Sequence, residues 1–335
     1  MTVGSGSDLR KKKLNLKIKS FLARTGVVWS LAVLFILLSV ITEQFLTTGN
    51  LLNVMRQVTV TAILGVGITF VIIGGGIDLS VGSLLAVTGA LAAGVVTDTG
   101  SMWLAFLTAL ITGIVFGFVQ GFIVTRFKIA PFAVTLGGMA IFRGITLLYT
   151  DGIPISSLPT DFRWPGAGMV SGIPAPVIIL FVVAVAAYIL LGKTRIGRYI
   201  YAIGANENTT RLSGINVNSY RTLTYVISGI CCAIAGVILV GRLNSAHPYA
   251  AQGYELNAIA AAVIGGTSLS GGMGTIYGTI IGALIIGIIQ NGLNLLQVSA
   301  FWQPVVVGSV IIIAVLVDRV RINMTDSLAK LSVED

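Results

Sequence analysis

Residues 71–83 read VIIGGGIDLSVGS, so one carboxylate, Asp78, follows three consecutive glycines and stands between two long apolar runs. A charged side chain at the centre of a bilayer costs roughly 2.5–3.5 kcal/mol on insertion scales, and such residues mark functional sites. Glycine releases the backbone from helical geometry, and a nearby serine or aspartate can satisfy the amide groups that are then exposed. The stretch therefore predicts a break between two apolar helices.

The composition of the whole chain is that of a polytopic membrane protein. Of its 335 residues, 55% are hydrophobic and 10% are charged, and the mean hydropathy is +0.96. Soluble domains carry about 25% charged residues, so a soluble globular class is excluded. The single histidine and the adjacent Cys231 and Cys232, which lie in an apolar run, predict neither a metal site nor a disulfide.

Ten apolar stretches are candidates for membrane-spanning helices, which need about 20 apolar residues to cross roughly 30 Å of hydrocarbon. We expect an all-α polytopic membrane protein of about ten transmembrane helices in two weakly repeated halves. Its transmembrane domain would cover 27–317, between a basic N-terminal segment (1–26) and a tail (318–335). The predicted spans are 27–46, 52–73, 81–97, 103–125, 131–149, 174–192, 222–243, 256–266, 275–296 and 302–317, of which the eighth is the shortest.

The placement of the basic residues predicts which side of the membrane each loop faces. Seven Lys and Arg residues precede residue 25, two follow the fourth span, five lie in the 193–221 loop and three lie in the tail, which makes 17 of the 21. Basic residues concentrate in cytoplasmic loops. We therefore expect both termini in the cytoplasm, and the net charge of +9 calls for no nucleic-acid partner.

Glycine spacing predicts one close contact between helices. Gly113, Gly117 and Gly121 recur every four residues, so they share one face of the fourth span. Small residues let helix backbones approach closely in lipid, where packing replaces the hydrophobic driving force. We expect this glycine face to pack against another helix.

A shift of 190 residues aligns the opening stretch with a second one. Five of the eight residues in 75–82 match their counterparts in 265–272, and both segments interrupt apolar runs. Paired glycine-interrupted segments in two halves of a transporter point to a translocation path between them. The candidates for that path are Gly75, Gly76, Asp78, Ser80, Gly82, Gly265, Gly266, Ser268 and Ser270.

Two interpretations of the Asp78 break stay open from the sequence, and both can hold. Irregular backbone at membrane depth is tolerated only where it is buried in protein or lines a wet cavity, which favours a broken helix beside a path. Alternatively, the glycines form a tight cytoplasmic turn, and Asp78 caps a helix that starts near Leu79.

The loop at 193–221 is the longest well-charged connection on the predicted cytoplasmic side. Asn206 can cap a short helix there, Glu207 favours its first turn, and Gly214 can end it. A short amphipathic helix on the cytoplasmic face of a membrane domain is a suitable docking site for a soluble partner.

The same loop follows a partial nucleotide-binding motif, since Gly192-Lys193-Thr194 resembles the end of a phosphate loop. That motif requires a glycine five residues before Gly192, where this chain has Ala187. No other stretch of the sequence fits the motif. We therefore expect no ATP hydrolysis, no cofactor and no enzymatic activity in this chain.

Four stretches of the sequence are distinctive when taken together: GIDLSVGSLLAVTGA at 76–90, GRYIYAIGANENTTRLSGINV at 197–217, GYELNAIAAAVIGGTSLSGGMGTIYGTIIGALIIG at 253–287 and NGLNLL at 291–296. With them the chain resembles the membrane permease subunits of bacterial ABC importers for monosaccharides, most closely the ribose type. The resemblance implies import of a monosaccharide, with ribose as the first candidate. It also implies alternating access through a pore formed by two copies of the chain, surrounded by the lipid of the bacterial inner membrane.

The resemblance implies further partners on both faces. Two ATP-binding domains, which hold ATP and Mg, would dock on the cytoplasmic face, and a periplasmic or lipid-anchored sugar-binding protein would dock on the outer face. The implied coupling helix comprises Ala205, Asn206, Glu207, Thr210, Arg211, Leu212, Ser213 and Gly214. The candidates for contact with the binding protein are Asp151, Asp161, Arg163 and Glu255.

Polar side chains inside the apolar runs are further candidates for the path. Asn291 and Asn294 are three residues apart, so they share a helix face. They either meet sugar hydroxyls or, in the interpretation that we favour, hold helices together. Arg143, in the middle of the fifth span, is expected to meet backbone carbonyls or a carboxylate, for which Asp78 is one candidate.

Two other functions stay open from the sequence. An ion-coupled secondary sugar transporter would use Asp78 as its ion-linked carboxylate and would need no ATPase. An ABC permease for another small polar solute, such as a branched-chain amino acid, would share the general sequence pattern. The uncharged Ser268, which is the predicted counterpart of Asp78, makes ion coupling the weaker of these hypotheses.

Overall fold

The computed structural model describes residues 26–331, with side chains as far as residue 316. The predicted N-terminal segment (1–26) lies outside this range apart from Gly26, and the predicted tail (318–335) contributes only helical backbone as far as Leu331. The helices are α1 (Gly26–Ile41), α2 (Thr48–Ile73), α3 (Val81–Thr99), α4 (Met102–Arg126), α5 (Pro131–Thr150), α6 (Thr160–Ala167), α7 (Ala175–Lys193), α8 (Arg195–Ala205), α9 (Glu207–Leu212), α10 (Val217–Leu243), α11 (Tyr254–Ile264), α12 (Ile276–Leu295) and α13 (Trp302–Leu331). The strands are β1 (Ile155–Ser156), β2 (Met169–Val170), β3 (Ile173–Pro174) and β4 (Ser245–Ala246).

Seven of these helices are long and apolar enough to cross a membrane, namely α2, α3, α4, α5, α7, α10 and α12. Three shorter apolar helices, α1, α11 and the described part of α13, coincide with the remaining predicted spans. The chain is thus an all-α multi-pass membrane protein, as its composition predicted. Helix α1 ends at Ile41 rather than at residue 46, since the polar stretch that follows forms turns and Thr47 caps α2 by accepting a hydrogen bond from Asn50 N (3.4 Å).

Helices α2, α3 and α10 form the core of the bundle and are mostly buried, whereas α4, α5 and α7 present most of their residues outward. Helix α4 packs along α10 through the predicted glycine face. A Cβ on any of those three glycines would collide with the α10 backbone, which they meet at Thr222, Tyr225 and Gly229. A larger residue would push the helices apart, so the predicted close contact is confirmed.

The bundle has two different ends. One carries α8 and α9, and we call it the α9 end. The opposite end, which we call the strand end, carries α6 and two antiparallel strand pairs, β1 with β4 (Ile155 opposite Ala246) and β2 with β3. Helix α2 runs from the strand end, where Arg242 Nη1 donates to Arg56 O (3.4 Å), to the α9 end, where it stops at Ile73.

Candidate functional site

The first break, residues 74–80, begins with a glycine cap on α2. The amide of Gly75 donates to Ile72 O (2.9 Å) and that of Gly76 to Val71 O (2.8 Å), which is the hydrogen-bond pattern of a Schellman motif. This motif requires a left-handed residue just after the helix, and Gly75 has a φ of 77°. The chain then continues without regular secondary structure as far as α3.

Beyond its cap, the first break runs along α10 into the bundle. Gly74 O accepts from Arg221 Nε (3.2 Å), and the Asp78 carboxylate accepts from Ser228 Oγ (2.9 Å) about two turns further along α10. At 1.5 Å per residue, Ser228 lies about 16 Å along the helix from its first residue, Val217. Asp78 therefore lies inside the bundle, whereas the glycine turn before it lies at the α9 end. Each of the two interpretations thus describes one part of the first break.

The Asp78 carboxylate is 1% exposed and accepts three hydrogen bonds. Ser80 N (2.9 Å) and Ser80 Oγ (2.6 Å) donate to Oδ1, and Ser228 Oγ donates to Oδ2. Hydrogen bonds to an ionised acceptor are about twice as strong as those between neutral groups, so these bonds offset part of the cost of burying the carboxylate. Helix α3 starts at Val81, and the residue before it, Ser80, makes no side-chain capping hydrogen bond. Asp78 Oδ1 accepts from the Ser80 amide at the start of this helix, so the predicted capping role of Asp78 is confirmed, for a helix that begins two residues later than Leu79.

Gln120 extends this network from α10 and the break to α4. Its Oε1 lies 3.1 Å from Ser80 Oγ, and its Nε2 has no hydrogen-bond partner among the described residues. The Ser80 hydroxyl has a single proton, which it directs to Asp78 at the shorter distance of 2.6 Å. The amide is therefore better satisfied in the opposite orientation, with its NH2 group donating to Ser80 Oγ.

Neither Gln120 nor Ser228 was among the residues selected from the sequence. Each is a polar residue within an apolar span, and this was the signal that could have identified it. The chain of donors from Gln120 through Ser80 to Asp78, with Ser228 on the other side, ties the first break to two helices. We call these four side chains the Asp78 network.

The second break, residues 265–275, begins with the same cap. Gly266 has a φ of 88°, and its amide and that of the next residue donate to α11 carbonyls in the Schellman pattern. Gly266 thus corresponds to Gly75, at a spacing of 191 rather than the predicted 190. Ser268 is consequently not the structural counterpart of Asp78, and the predicted register of the repeat is corrected by one residue.

The second break lies at the α9 end, where turns of its own backbone and one tyrosine hold it. Gly272 N donates to Ile73 O at the end of α2 (2.9 Å), and Tyr201 OH on α8 donates to Gly274 O (2.7 Å). Ser270 is exposed. The two breaks therefore meet at the end of α2, although only the first one enters the bundle beside α10.

The two predicted asparagines contact other helices. Asn291 Nδ2 donates to Asn50 Oδ1 (2.8 Å) and Asn50 Nδ2 donates to Asn291 Oδ1 (3.1 Å), which joins α12 to α2. Asn294 Oδ1 accepts from Gln303 Nε2 (2.8 Å), which joins α12 to α13. Both contacts agree with the interpretation that these amides hold helices together.

The segment between β4 and α11 folds back into the bundle. Arg143, in the middle of α5, donates from Nη1 to Pro248 O (2.6 Å) and Ala250 O (3.0 Å), so it meets backbone carbonyls, the first of the two predicted kinds of partner. Glu255 lies in the first turn of α11 against Gly82 and leaves no room there for a Cβ. Glu255 therefore belongs to a helix and not to the predicted outer loop, and its contact with a binding protein stays a prediction.

The other three residues predicted for that contact lie at the strand end. Asp151 follows α5, and Asp161 and Arg163 belong to α6. Both aspartates are exposed, and Arg163 is half-buried. They belong to the face opposite α9.

The predicted short helix is present as α9, and it follows α8, which the sequence did not predict. Asn206 caps α9 as expected, since its Oδ1 accepts from Thr209 N (2.9 Å). Gly214, with a φ of 81°, follows the end of the helix. Leu212 is 89% exposed, so α9 presents an apolar side chain that a partner could cover.

Glu207, the first residue of α9, makes two ion pairs. Its Oε1 lies 2.7 Å from Arg211 Nη2, and its Oε2 lies 2.9 Å from Arg221 Nη1. Partial burial by itself would raise the pKa of Glu207, but the hydrogen bonds and charges of both arginines outweigh burial and lower this pKa. A carboxyl with a lowered pKa stays ionised at neutral pH, so both pairs are lost only as the pH falls below its usual titration range.

Comparison with known proteins places the chain in a family of permeases. Residues 50–315 match the family described as branched-chain amino acid transport system / permease component. The ribose import permease protein RbsC of Escherichia coli K12 is 48% identical over 305 residues, which cover 90% of this chain and 95% of the relative. The ribose import permease protein RbsC of Bacillus subtilis 168 is 47% identical over 314 residues, which cover 93% and 98%. The D-allose transport system permease protein AlsC of Escherichia coli K12 is 41% identical and covers 92% and 95%. No solved structure matches the chain significantly.

The region that matches the family includes both breaks, α8, α9 and nearly all of the seven long apolar helices. The shared sequence therefore covers the candidate site as well as the fold. The resemblance to importer permeases that was read from the sequence is confirmed, and the chain belongs to this family of transport-system permease components.

Proposed function

We propose that this chain is the membrane-spanning permease subunit of an ATP-driven ribose importer in a bacterial inner membrane. Two copies form the pore, an ABC ATPase docks on α9, and a periplasmic or lipid-anchored binding protein delivers ribose at the strand end. The ATPase binds ATP with Mg and hydrolyses it. Ribose then crosses by alternating access.

The observation that carries this proposal is the 48% identity to a ribose import permease over 90% of the chain. Identity falls to 41% for a D-allose permease, 36% for an L-arabinose permease and 33% for a xylose permease. This order favours ribose among the sugars. The family description mentions amino acids, but these relatives are all named for sugars, which argues against a branched-chain amino acid as the substrate.

The proposed topology has ten membrane crossings with both termini in the cytoplasm. It assigns one crossing to each of the seven long apolar helices and to α1, α11 and α13. The basic loop at 193–221 and the basic residues after α4 belong to the α9 end. By the positive-inside rule, that end faces the cytoplasm, where an ATPase could reach α9.

The environment of Asp78 argues against the ion-coupled alternative. An ion-linked carboxylate must be reachable from the path, whereas Asp78 is 1% exposed. Both of its oxygens accept hydrogen bonds, from Ser80 and Ser228. We therefore assign Asp78 to holding the first break in place rather than to carrying an ion.

Reconstitution in proteoliposomes tests the proposed function. The purified chain alone, with an imposed proton or sodium gradient, should accumulate no labelled ribose. With its ATPase, its binding protein and ATP, it should accumulate ribose, and excess unlabelled ribose should compete better than allose, xylose or leucine. Ion-driven accumulation by the chain alone would contradict the proposal, and stronger competition by another solute would reassign the substrate.

A charge reversal on α9 tests the proposed ATPase docking site. Arg211→Glu places a negative charge on the exposed face of α9 and should abolish co-purification of the ATPase while the permease stays monodisperse. Asp161→Lys is the matched control, because it reverses an exposed charge at the strand end and should leave co-purification unchanged. If the ATPase still co-purifies with Arg211→Glu, the proposal that it docks on α9 is contradicted.

A further inference from the structure

The last residues of α2 form the point where both breaks and α10 meet. Ile73 O accepts from Gly272 N of the second break (2.9 Å), and Gly74 O accepts from Arg221 Nε (3.2 Å). The final carbonyls of a helix have no partner within the helix, so contacts of this kind determine what the helix end is attached to. The end of α2 is thus attached to the second break and, through Arg221, to α10.

Arg221 also connects this point to α9. Its Nη1 lies 2.9 Å from Glu207 Oε2, while its Nε donates to Gly74 O. The Arg221 side chain is 17% exposed and that of Arg211 is 48% exposed, so water screens the Glu207–Arg221 pair less than the Glu207–Arg211 pair. One guanidinium therefore joins α9, α10 and α2.

The planar guanidinium of Arg221 constrains the relative position of α9 and α2. Its N–H groups point in fixed directions, so it can serve Glu207 and Gly74 O together only at one relative placement of α9 and α2. A cavity of about 320 Å³ lies beside it, lined in part by Gly75, Lys128 and Arg221, and gives the side chain room to turn. A displacement of α9 must therefore either turn the guanidinium or pull on Gly74.

Movement at Gly74 reaches the Asp78 network over a short distance, because only three residues separate these two anchored positions. So short a stretch of chain has little slack, so a displacement at one end is passed to the other. Thr135 Oγ1 on α5 donates to Ile77 O of the same segment (3.2 Å), so α5 is attached to it as well. The second break would move with the same helix end through Gly272.

We propose that Arg221 is the positioning residue that couples α9 to both breaks. This inference rests on the proposed function, in which an ATPase docks on α9 and displaces it. The Glu207–Arg221 bridge passes that displacement to the end of α2, and the two breaks shift with it. Arg221 touches neither the sugar nor ATP, and it acts through the backbone of Gly74.

The amount of sugar taken up per ATP hydrolysed, in the reconstituted transporter, tests this role. Arg221→Lys keeps the charge but loses the fork that serves two partners at once. We expect its ATPase to co-purify and to hydrolyse ATP, while uptake per ATP falls at least about fivefold. Arg195→Lys, the same replacement at an exposed position on α8, is the matched control and should leave uptake per ATP unchanged.

Glu207→Gln breaks the bridge from its other side and should uncouple transport to a similar extent. Combined with Arg221→Lys, it should uncouple no further than either single variant, because both act on one bridge. If Arg221→Lys does not fold, uptake per ATP in Glu207→Gln is sufficient to test the inference, since this variant alters only a partly exposed side chain on α9.

Three results would overturn the inference. The first is unchanged uptake per ATP in Arg221→Lys or in Glu207→Gln. The second is a parallel loss of uptake, ATP hydrolysis and thermal stability, which would make Arg221 only a cap on α2. The third is a double variant that is much worse than both single ones. Failure of the unaltered permease to bind any ATPase is distinguishable from these, because it contradicts the proposed function and, with it, the basis of this inference.

Discussion

The first and second breaks leave their helices through the same Schellman cap, at Gly75 and Gly266, and differ in everything that follows. The first enters the bundle, where side chains of three other helices hold it, at Gln120, Thr135 and Ser228. The second stays at the α9 end and turns back on itself. Its glycines at 271, 272 and 274 all have positive φ, and two of its turns are closed by hydrogen bonds within its own backbone, from Ser268 N to Met273 O and from Gly271 N to Ser268 O.

This difference shows what a charged residue contributes to a break. Inside a membrane bundle there is no bulk water, so every exposed amide or carbonyl needs a protein partner. Asp78 supplies acceptors for one amide and two hydroxyls at once, which lets a short segment cross the bundle. The second break, at the end of the bundle, is held by short turns of its own backbone, by Ile73 O and by the Tyr201 hydroxyl.

The largest effect is expected from Asp78→Ala. This change leaves one amide and two hydroxyls inside the bundle without their acceptor, and each such group costs about 1–3 kcal/mol. We therefore expect a loss of roughly 3 kcal/mol or more in the free energy of unfolding, seen as a lower midpoint of thermal unfolding in detergent. Asp78→Asn keeps one acceptor oxygen and should lose less. If Asp78→Ala is as stable as the unaltered protein, the Asp78 network does not stabilise the first break.

A smaller effect is expected from Ser80→Ala. It removes one donor to Asp78 and the only described partner of the Gln120 amide, at a cost of roughly 2 kcal/mol. Ser270→Ala is the matched change in the second break, where the side chain is exposed, and it should stay within about 0.5 kcal/mol. Comparable losses in the two variants, measured by the same unfolding experiment, would mean that the breaks are held alike.

The two caps should respond equally to alanine. Gly75→Ala and Gly266→Ala force a side chain into the left-handed region, which costs roughly 1–2 kcal/mol, and neither new Cβ meets an atom closer than 3.6 Å. Gly265→Ala should cost more, because its Cβ would lie 2.6 Å from Thr279 N. If Gly265→Ala rather than Gly266→Ala had the same unfolding midpoint as Gly75→Ala, Gly265 would be the counterpart of Gly75. The repeat would then have the predicted spacing of 190 residues.

The smallest of these effects is expected from Tyr201→Phe. It removes one hydrogen bond to Gly274 O, worth about 1 kcal/mol or less, because water can reach this partly buried carbonyl at the α9 end. Hydrogen exchange of the second-break amides should rise locally while the unfolding midpoint changes little. Global destabilisation would show that the second break, like the first, depends on a side chain of another helix.

The local features of this protein could be predicted from short stretches of sequence. Asn206 and Gly214 delimit α9 because capping depends on residues within one turn. The glycine face of α4 was evident from its spacing of four residues. The helix break at Asp78 was predictable from three consecutive glycines, although its depth in the bundle was not. Helix α8 was missed because it is short and only partly apolar, unlike the long apolar runs that predicted the spans.

The sequence by itself determined a multi-pass helical permease with two glycine breaks and a capped helix in its longest charged loop, because hydropathy, capping and glycine geometry act over a few residues. Only the tertiary structure decided which groups face one another. Ser228 is 150 positions from Asp78, Arg221 is 147 positions from Gly74, and no local pattern encodes such pairings. The packing of α10 against α2 and α4 brings these residues together, and that packing sums many weak contacts along whole helices.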